Sequence, residues 1–172
     1  MPGGTPGLAA GLRATVRAVV TGADTAEAMG SGNLPVLATP RLLALAEAAT
    51  VAAVAPQLGD GLTTVGTAVS LEHRKASPLG AEIVVEAELT EVDGRRLVFG
   101  FIARPAGADA AGSDADGTGA DGTGAGSTGA GSGGAGSVGA GSGDAGVVVG
   151  AGTVERVVVD GARFLARAQS SP

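Results

Sequence analysis

The sequence predicts an α+β fold: one long central helix wrapped by an antiparallel five-stranded sheet. Three observations predict it. From Leu42 to Val54 the only polar side chains are Glu47 and Thr50, and a run of this length, apolar on every side, reads as a buried helix. Five other segments alternate apolar and polar residues with the period of two expected of strands. Asp93-Gly94 is a hairpin turn signal between two of them.

The first strand covers residues 11–20, where Leu12, Ala14, Val16, Ala18 and Val20 point one way and Arg13, Thr15 and Arg17 the other. "TGADTAEAMGSGNLP" follows as a loop with one helical turn at Thr25 to Met29. Thr39-Pro40 then starts the helix, Thr as the cap and Pro at the first helical position, and Pro56 and Gly59 end it. In "LTTVGTAVSLEHR" strict alternation puts Thr63, Val65, Thr67, Val69, Leu71 and His73 on one face, the face that meets the helix. In the next strand Ile83, Val85, Ala87 and Leu89 oppose Glu82, Glu86 and Glu88. After the hairpin Leu97, Phe99, Phe101 and Ala103 share a face. A last strand runs from Val147 to Asp160, and "GARFLARA" makes a tail of one or two helical turns. Strand, long helix, then four strands is the order of the hotdog arrangement. Such a sheet leaves edges, which favours a homodimer.

Residues 105–146 stand apart. They repeat GADGT and GAGS-like units, have almost nothing apolar to bury, and read as a disordered insertion in a strand–strand hairpin. Residues 1–104 and 147–172 then form a single domain. Closure entropy grows only with the logarithm of loop length, so such an insertion is tolerated. It holds Asp109, Asp114, Asp116, Asp121 and Asp144 and no basic residue, so the net charge of −6 is mostly its own. Its Gly-X-Gly patterns lack the surrounding βαβ unit of a nucleotide fingerprint.

Composition excludes several functions. Without cysteine there is neither a disulfide nor a thiolate metal site, and one histidine rules out a multi-histidine centre. Aromatics at 2% and an acidic balance argue against nucleic acid as a partner. The apolar helix is shorter than the about 20 residues that span a membrane. The N-terminus has arginines within its apolar run and no signal-peptide core, so a cytoplasmic protein is expected.

Three residues are candidates for chemistry. Thr39 caps a helix whose free N–H groups also suit a developing oxyanion. Glu47 is a carboxylate in an apolar helix. It needs a partner, or a dry pocket tunes it to act as base or nucleophile. His73 is either a satisfied core histidine or, at the end of its strand beside "RKASPLG", the acid–base partner of a carboxylate in a cleft. Thr39 and Glu47 are ~12 Å apart along a straight helix. Either Thr39 folds back, or Glu47 works with Thr39 of the partner subunit. The second arrangement gives a composite site, two per dimer.

"VLATPRLLALAEAAT", "VGTAVSLEH", "ELTEVDGRRLVF" and "GTVERVVVDGARF" resemble the fluoroacetyl-CoA thioesterase-like family of hotdog-fold thioesterases, through residues 12–104 and 147–166. The resemblance implies that Thr39, Glu47 and His73 are catalytic and that Gly66, in a "GT" pair, contacts substrate. It implies acyl-CoA thioester hydrolysis by a homodimer without metal or organic cofactor. The last strand reads Gly152-Thr153-Val154-Glu155-Arg156 where the family often has His in the middle, and "GSGNLPVLA" before the helix contains no aromatic residue to gate a very small acyl group. The alternatives are a non-catalytic acyl-CoA or ligand-binding hotdog protein and an enoyl-CoA hydratase.

Overall fold

The computed structural model describes residues 7–107 and 146–170. Five strands and two helices are in place: β1 (Arg13–Val19), α1 (Thr39–Val54), β2 (Leu62–His73), β3 (Glu82–Asp93), β4 (Arg96–Pro105), β5 (Gly150–Asp160) and α2 (Gly161–Ser170). The sheet order is β1-β3-β4-β5-β2, antiparallel throughout. β1 and β2 are its edges. Most of the expected insertion, residues 108–145, lies outside the described residues.

The core forms where the alternating apolar faces meet α1. Ile83, Val85, Ala87 and Leu89 of β3 and Leu97, Phe99, Phe101 and Ala103 of β4 are all buried. Against them α1 buries Leu42, Leu45, Ala46, Ala49, Thr50, Ala53 and Val54. Thr50 is tolerated there because its hydroxyl donates to the Glu47 carbonyl one turn back, at 2.7 Å. The β3–β4 turn uses Gly94 at φ +56°, which only glycine adopts without strain.

Five sequence expectations need correction. Ala38, extended at φ −72° and ψ 142°, is the N-cap of α1, so Thr39 is the first helical residue and Pro40 the second. The Thr39 hydroxyl makes no capping bond. The last strand starts at Gly150, not Val147, and the tail is a ten-residue helix, not one or two turns. The fourth correction matters most. β2 does not alternate throughout: its register with β5 shifts between Gly66 and Ala68, a bulge at Thr67. One extra residue exchanges the two faces of a strand. Before the bulge the even positions face α1: Leu62 packs on the core and Thr64 is buried. After it the odd positions do, and Leu71 packs on the core.

The fifth correction concerns α1, which is not buried on every side although its composition predicts that it is. Ala44, Ala48, Val51 and Ala52 are exposed in the single chain, with Leu43 and Glu47 half-exposed beside them. No helix of the described residues is long and apolar enough to cross a membrane.

Candidate active site

Thr39 is presented at the open N-terminal end of α1, and His73 ends β2. The structure brings the two side chains together, Thr39 Oγ1 to His73 Nδ1 at 2.9 Å. The hydroxyl is available because Ala38, not Thr39, occupies the cap position. The imidazole reaches the helix because the bulge at Thr67 returns the end of β2 to the inner face. Burial pushes the His73 pKa below its ordinary value, and the neighbouring Lys75 backbone opposes that shift. A neutral ring that accepts the Thr39 proton at Nδ1 carries its own hydrogen on Nε2. That atom is buried and lacks a hydrogen-bond partner among the described residues.

A cleft of about 280 Å³ opens over this pair. Ala26, Ser31, Val36 and Leu37 line one side, and His73, Arg74 and Lys75 the other. The wall carrying Ala26 and Val36 is pinned by the Thr25–Leu37 bridge and by the Ala26 N–H donating to the Val36 carbonyl at 2.9 Å. Its base is fixed by Asp24, which pairs with Arg41 of α1 at 2.6 Å. Hydrogen bonds from the Thr21 side chain and backbone, with Arg41 nearby, hold the Asp24 carboxyl below its usual pKa.

Glu47 lies two turns further along α1, with a different set of partners. Its Oε1 accepts from Arg156 Nη1 at 3.2 Å, and its side chain is 38% exposed in the single chain. Gly66, opposite Arg156 in the strand register, sits directly beneath: a Cβ there would collide with Glu47 Oε1. Arg156 itself is 5% exposed. Its Nε donates to Thr64 Oγ1 at 2.9 Å and its Nη2 to the Thr64 carbonyl at 3.0 Å. Burial lowers the Arg156 pKa and Glu47 opposes that shift; a guanidinium remains charged regardless.

Each chain therefore carries two groups: Thr39 with His73, and Glu47 with Gly66. Sequence reasoning missed Arg156 and Thr64 as the surroundings of Glu47. The signal was present, since Val154, Arg156 and Val158 occupy alternate positions, placing an arginine on an apolar face. Among the described residues no group of three or more His, Asp or Glu side chains is arranged to hold a metal ion.

Comparison with known proteins agrees with this architecture. Residues 20–112, more than half of the chain, match the family described as fluoroacetyl-CoA-specific thioesterase. A fluoroacetyl-CoA thioesterase from Streptantibioticus cattleyicolor is 45% identical over 62 residues, 36% of this chain and 45% of its own length. The chain thus spans less than half of that curated relative. A solved structure of the fluoroacetyl-CoA thioesterase FlK superposes with a TM-score of 0.68 at 28% identity, covering 96% of this chain and 99% of that one. A thioesterase-superfamily protein from Thermus thermophilus, 19% identical, gives a TM-score of 0.67 over 95% of this chain and 93% of its own, a likeness of fold. Sequence match and hotdog architecture together lead to one conclusion: the chain belongs to the fluoroacetyl-CoA-specific thioesterase family.

Proposed function

We propose that the protein is an acyl-CoA thioesterase, acting on a small acyl group as a homodimer. Each site combines Thr39 and His73 of one protomer with Glu47 and Gly66 of the partner subunit. The observation that carries the reading is the 2.9 Å contact between Thr39 Oγ1 and His73 Nδ1 at the open end of a helix, inside a cleft. A hydroxyl hydrogen-bonded to a neutral imidazole is the pairing that activates an oxygen nucleophile. The free N–H groups of the first turn suit the thioester oxyanion, although Pro40 has none to give. Family membership supports the substrate class, and so does a solved structure of an FlK variant in complex with acetyl-CoA.

In this mechanism His73 takes the Thr39 proton as the hydroxyl attacks the thioester carbonyl. The proton then goes to the departing CoA sulfur. Glu47 of the partner subunit orients and deprotonates the water that releases the acid from Thr39. The net reaction consumes one water and yields a carboxylic acid and free CoA thiol.

Two features support a composite site. Glu47 and Thr39 of one helix are separated by ~12 Å along its axis. The apolar stripe of Ala44, Ala48, Val51 and Ala52 is exposed beside Glu47, as expected of a surface that a second copy covers.

Thiol release from an acyl-CoA panel tests the activity: Glu47→Gln is expected to lower turnover by orders of magnitude with the fold intact, and near-wild-type hydrolysis would remove Glu47 from the mechanism. A substrate bound without thiol release would identify a binding protein, and loss of enoyl absorbance a hydratase. Complementation tests the composite arrangement. Mixing Glu47→Gln with His73→Ala chains and allowing subunit exchange gives heterodimers with one intact site, and so about a quarter of wild-type activity. A site built within one chain recovers none.

A further inference from the structure

We infer that Arg156 is a positioning residue that acts through Glu47, with Thr64 as its anchor. The inference rests on the thioesterase reading above and adds what fixes its carboxylate. Arg156 stands between the buried residues Val154 and Val158 on the inner face of β5. An arginine at such a position loses its hydration, and a buried ion pair often gains no stability over apolar side chains of the same size. Its arrangement suits placement better than stability.

All three guanidinium nitrogens are engaged. Two donate to Thr64, one to its hydroxyl at 2.9 Å and one to its carbonyl at 3.0 Å. Thr64 sits opposite Val158 in the β2–β5 ladder, so the anchor is part of the sheet and not of a loop. A planar fork held at two points has its third direction fixed. That direction is Glu47 Oε1, at 3.2 Å. From the sheet side Gly66 admits the same oxygen into the space a side chain would fill. The carboxylate is thus located by a cation on one side and bare backbone on the other. Only Oε1 is engaged by the described residues, which leaves Oε2 to meet water or substrate. Without Arg156 the half-exposed side chain has several rotamers within reach, and a displacement near 1 Å costs on the order of 10²-fold in rate.

Steady-state thiol release with acyl-CoA, on the full-length chain, tests this with Arg156→Gln, Arg156→Lys and Thr64→Val, each made in the wild-type and Glu47→Gln backgrounds. The expected result is a loss in kcat on the order of 10²-fold for Arg156→Gln with KM nearly unchanged. Lys is expected to restore part of it, and Thr64→Val to show a smaller loss of the same kind. In the Glu47→Gln background these losses disappear, because residues acting as a unit are not additive.

A raised KM with kcat unchanged overturns the inference. So does a loss of equal factor in both backgrounds, which would mean that Arg156 acts on substrate or fold independently of Glu47. Thr64→Val retains the buried charge and decides the matter where Arg156→Gln does not fold: a wild-type kcat there also overturns the proposal. Full activity of Glu47→Gln alone would instead refute the thioesterase mechanism, and is read separately.

Discussion

Replacing Gly66 with alanine separates the function of the Glu47 pocket from the stability of the sheet. Gly66 does not have the positive φ that would forbid a side chain, so the strand itself accepts alanine. The added methyl would collide with Glu47 Oε1, while the next neighbours, the Glu47 carboxyl carbon at 3.6 Å and Arg156 Nη1 at 3.7 Å, are at ordinary contact distance. The only group that must yield is the end of a flexible side chain. Regaining a normal contact of about 3.5 Å moves the oxygen by roughly 1 Å, away from the guanidinium it now meets at 3.2 Å. The stability cost should stay within the about 1–3 kcal/mol of ordinary overpacking. The rate cost of a 1 Å misplacement is ~10²-fold, equivalent to about 2.7 kcal/mol of transition-state stabilisation. Thermal melting and thiol release on the same preparation read both. A folded Gly66→Ala protein with wild-type kcat would refute the reasoning, since it would mean that the position of Glu47 does not govern the reaction.

The pH dependence and the insertion supply two further tests. His73 has its pKa lowered from 6.5 by burial, and the base role proposed for it requires the neutral ring. The acid limb of kcat/KM that it sets should therefore fall below about 6.5; a limb at or above that value in a profile with a non-ionising substrate counts against this role. The native state also binds fewer protons than the unfolded one through the same window, so folding stability should decline as pH falls from about 6.5 toward the folded pKa. Replacing residues 108–145 with a short Gly-Ser bridge should leave kcat unchanged. β4 and β5 are already joined at Ala103–Gly150 in the ladder and by the Val149 N–H to the Ala103 carbonyl at 2.8 Å. Shortening the loop about fourfold should raise stability by only ~1 kcal/mol, and a marked fall in kcat would assign the insertion a part in catalysis.

Most of the fold is legible because its pattern is local. The alternation of β3 and β4, the Asp93-Gly94 turn and the apolar length of α1 each follow from neighbours in sequence. The Thr39-Pro40 start misleads by one residue: either threonine at the cap or threonine just inside it precedes a proline acceptably, and the choice depends on His73, 34 positions away. The face of β2 misleads for a related reason. Gly66 and His73 are seven positions apart and belong to opposite faces of a regular strand, yet both face α1 because the bulge at Thr67 supplies the missing half-period. Nothing in "VGTAVSLEH" marks a bulge apart from its glycine, which weakens a strand and often accompanies such irregularities. The carboxylate partner was readable in principle. Arg156 interrupts the apolar set of Val154 and Val158, and a cation on that face predicts an anion opposite.

The exposed stripe of α1 turns the composite site into a geometric prediction. Two antiparallel helices related by a twofold axis place residue 39 of one beside residue 47 of the other only if they cross near residue 43. Leu43 and Ala44 lie on the stripe there, and small side chains allow helix axes to approach to about 8 Å. The chain contains no cysteine, so one introduced thiol reports the crossing point without interference. Ala44→Cys should form an intermolecular disulfide under mild oxidation, because it lies within reach of its own copy across the axis, where Cα atoms must come within about 7 Å. Ala52→Cys, exposed on the same stripe, lies nine residues from the crossing, ~14 Å along each helix, and should remain reduced. Cross-linking of Ala52→Cys in preference to Ala44→Cys would place the crossing far from Leu43. It would then separate Glu47 of the partner subunit from Thr39 and end the shared-site arrangement.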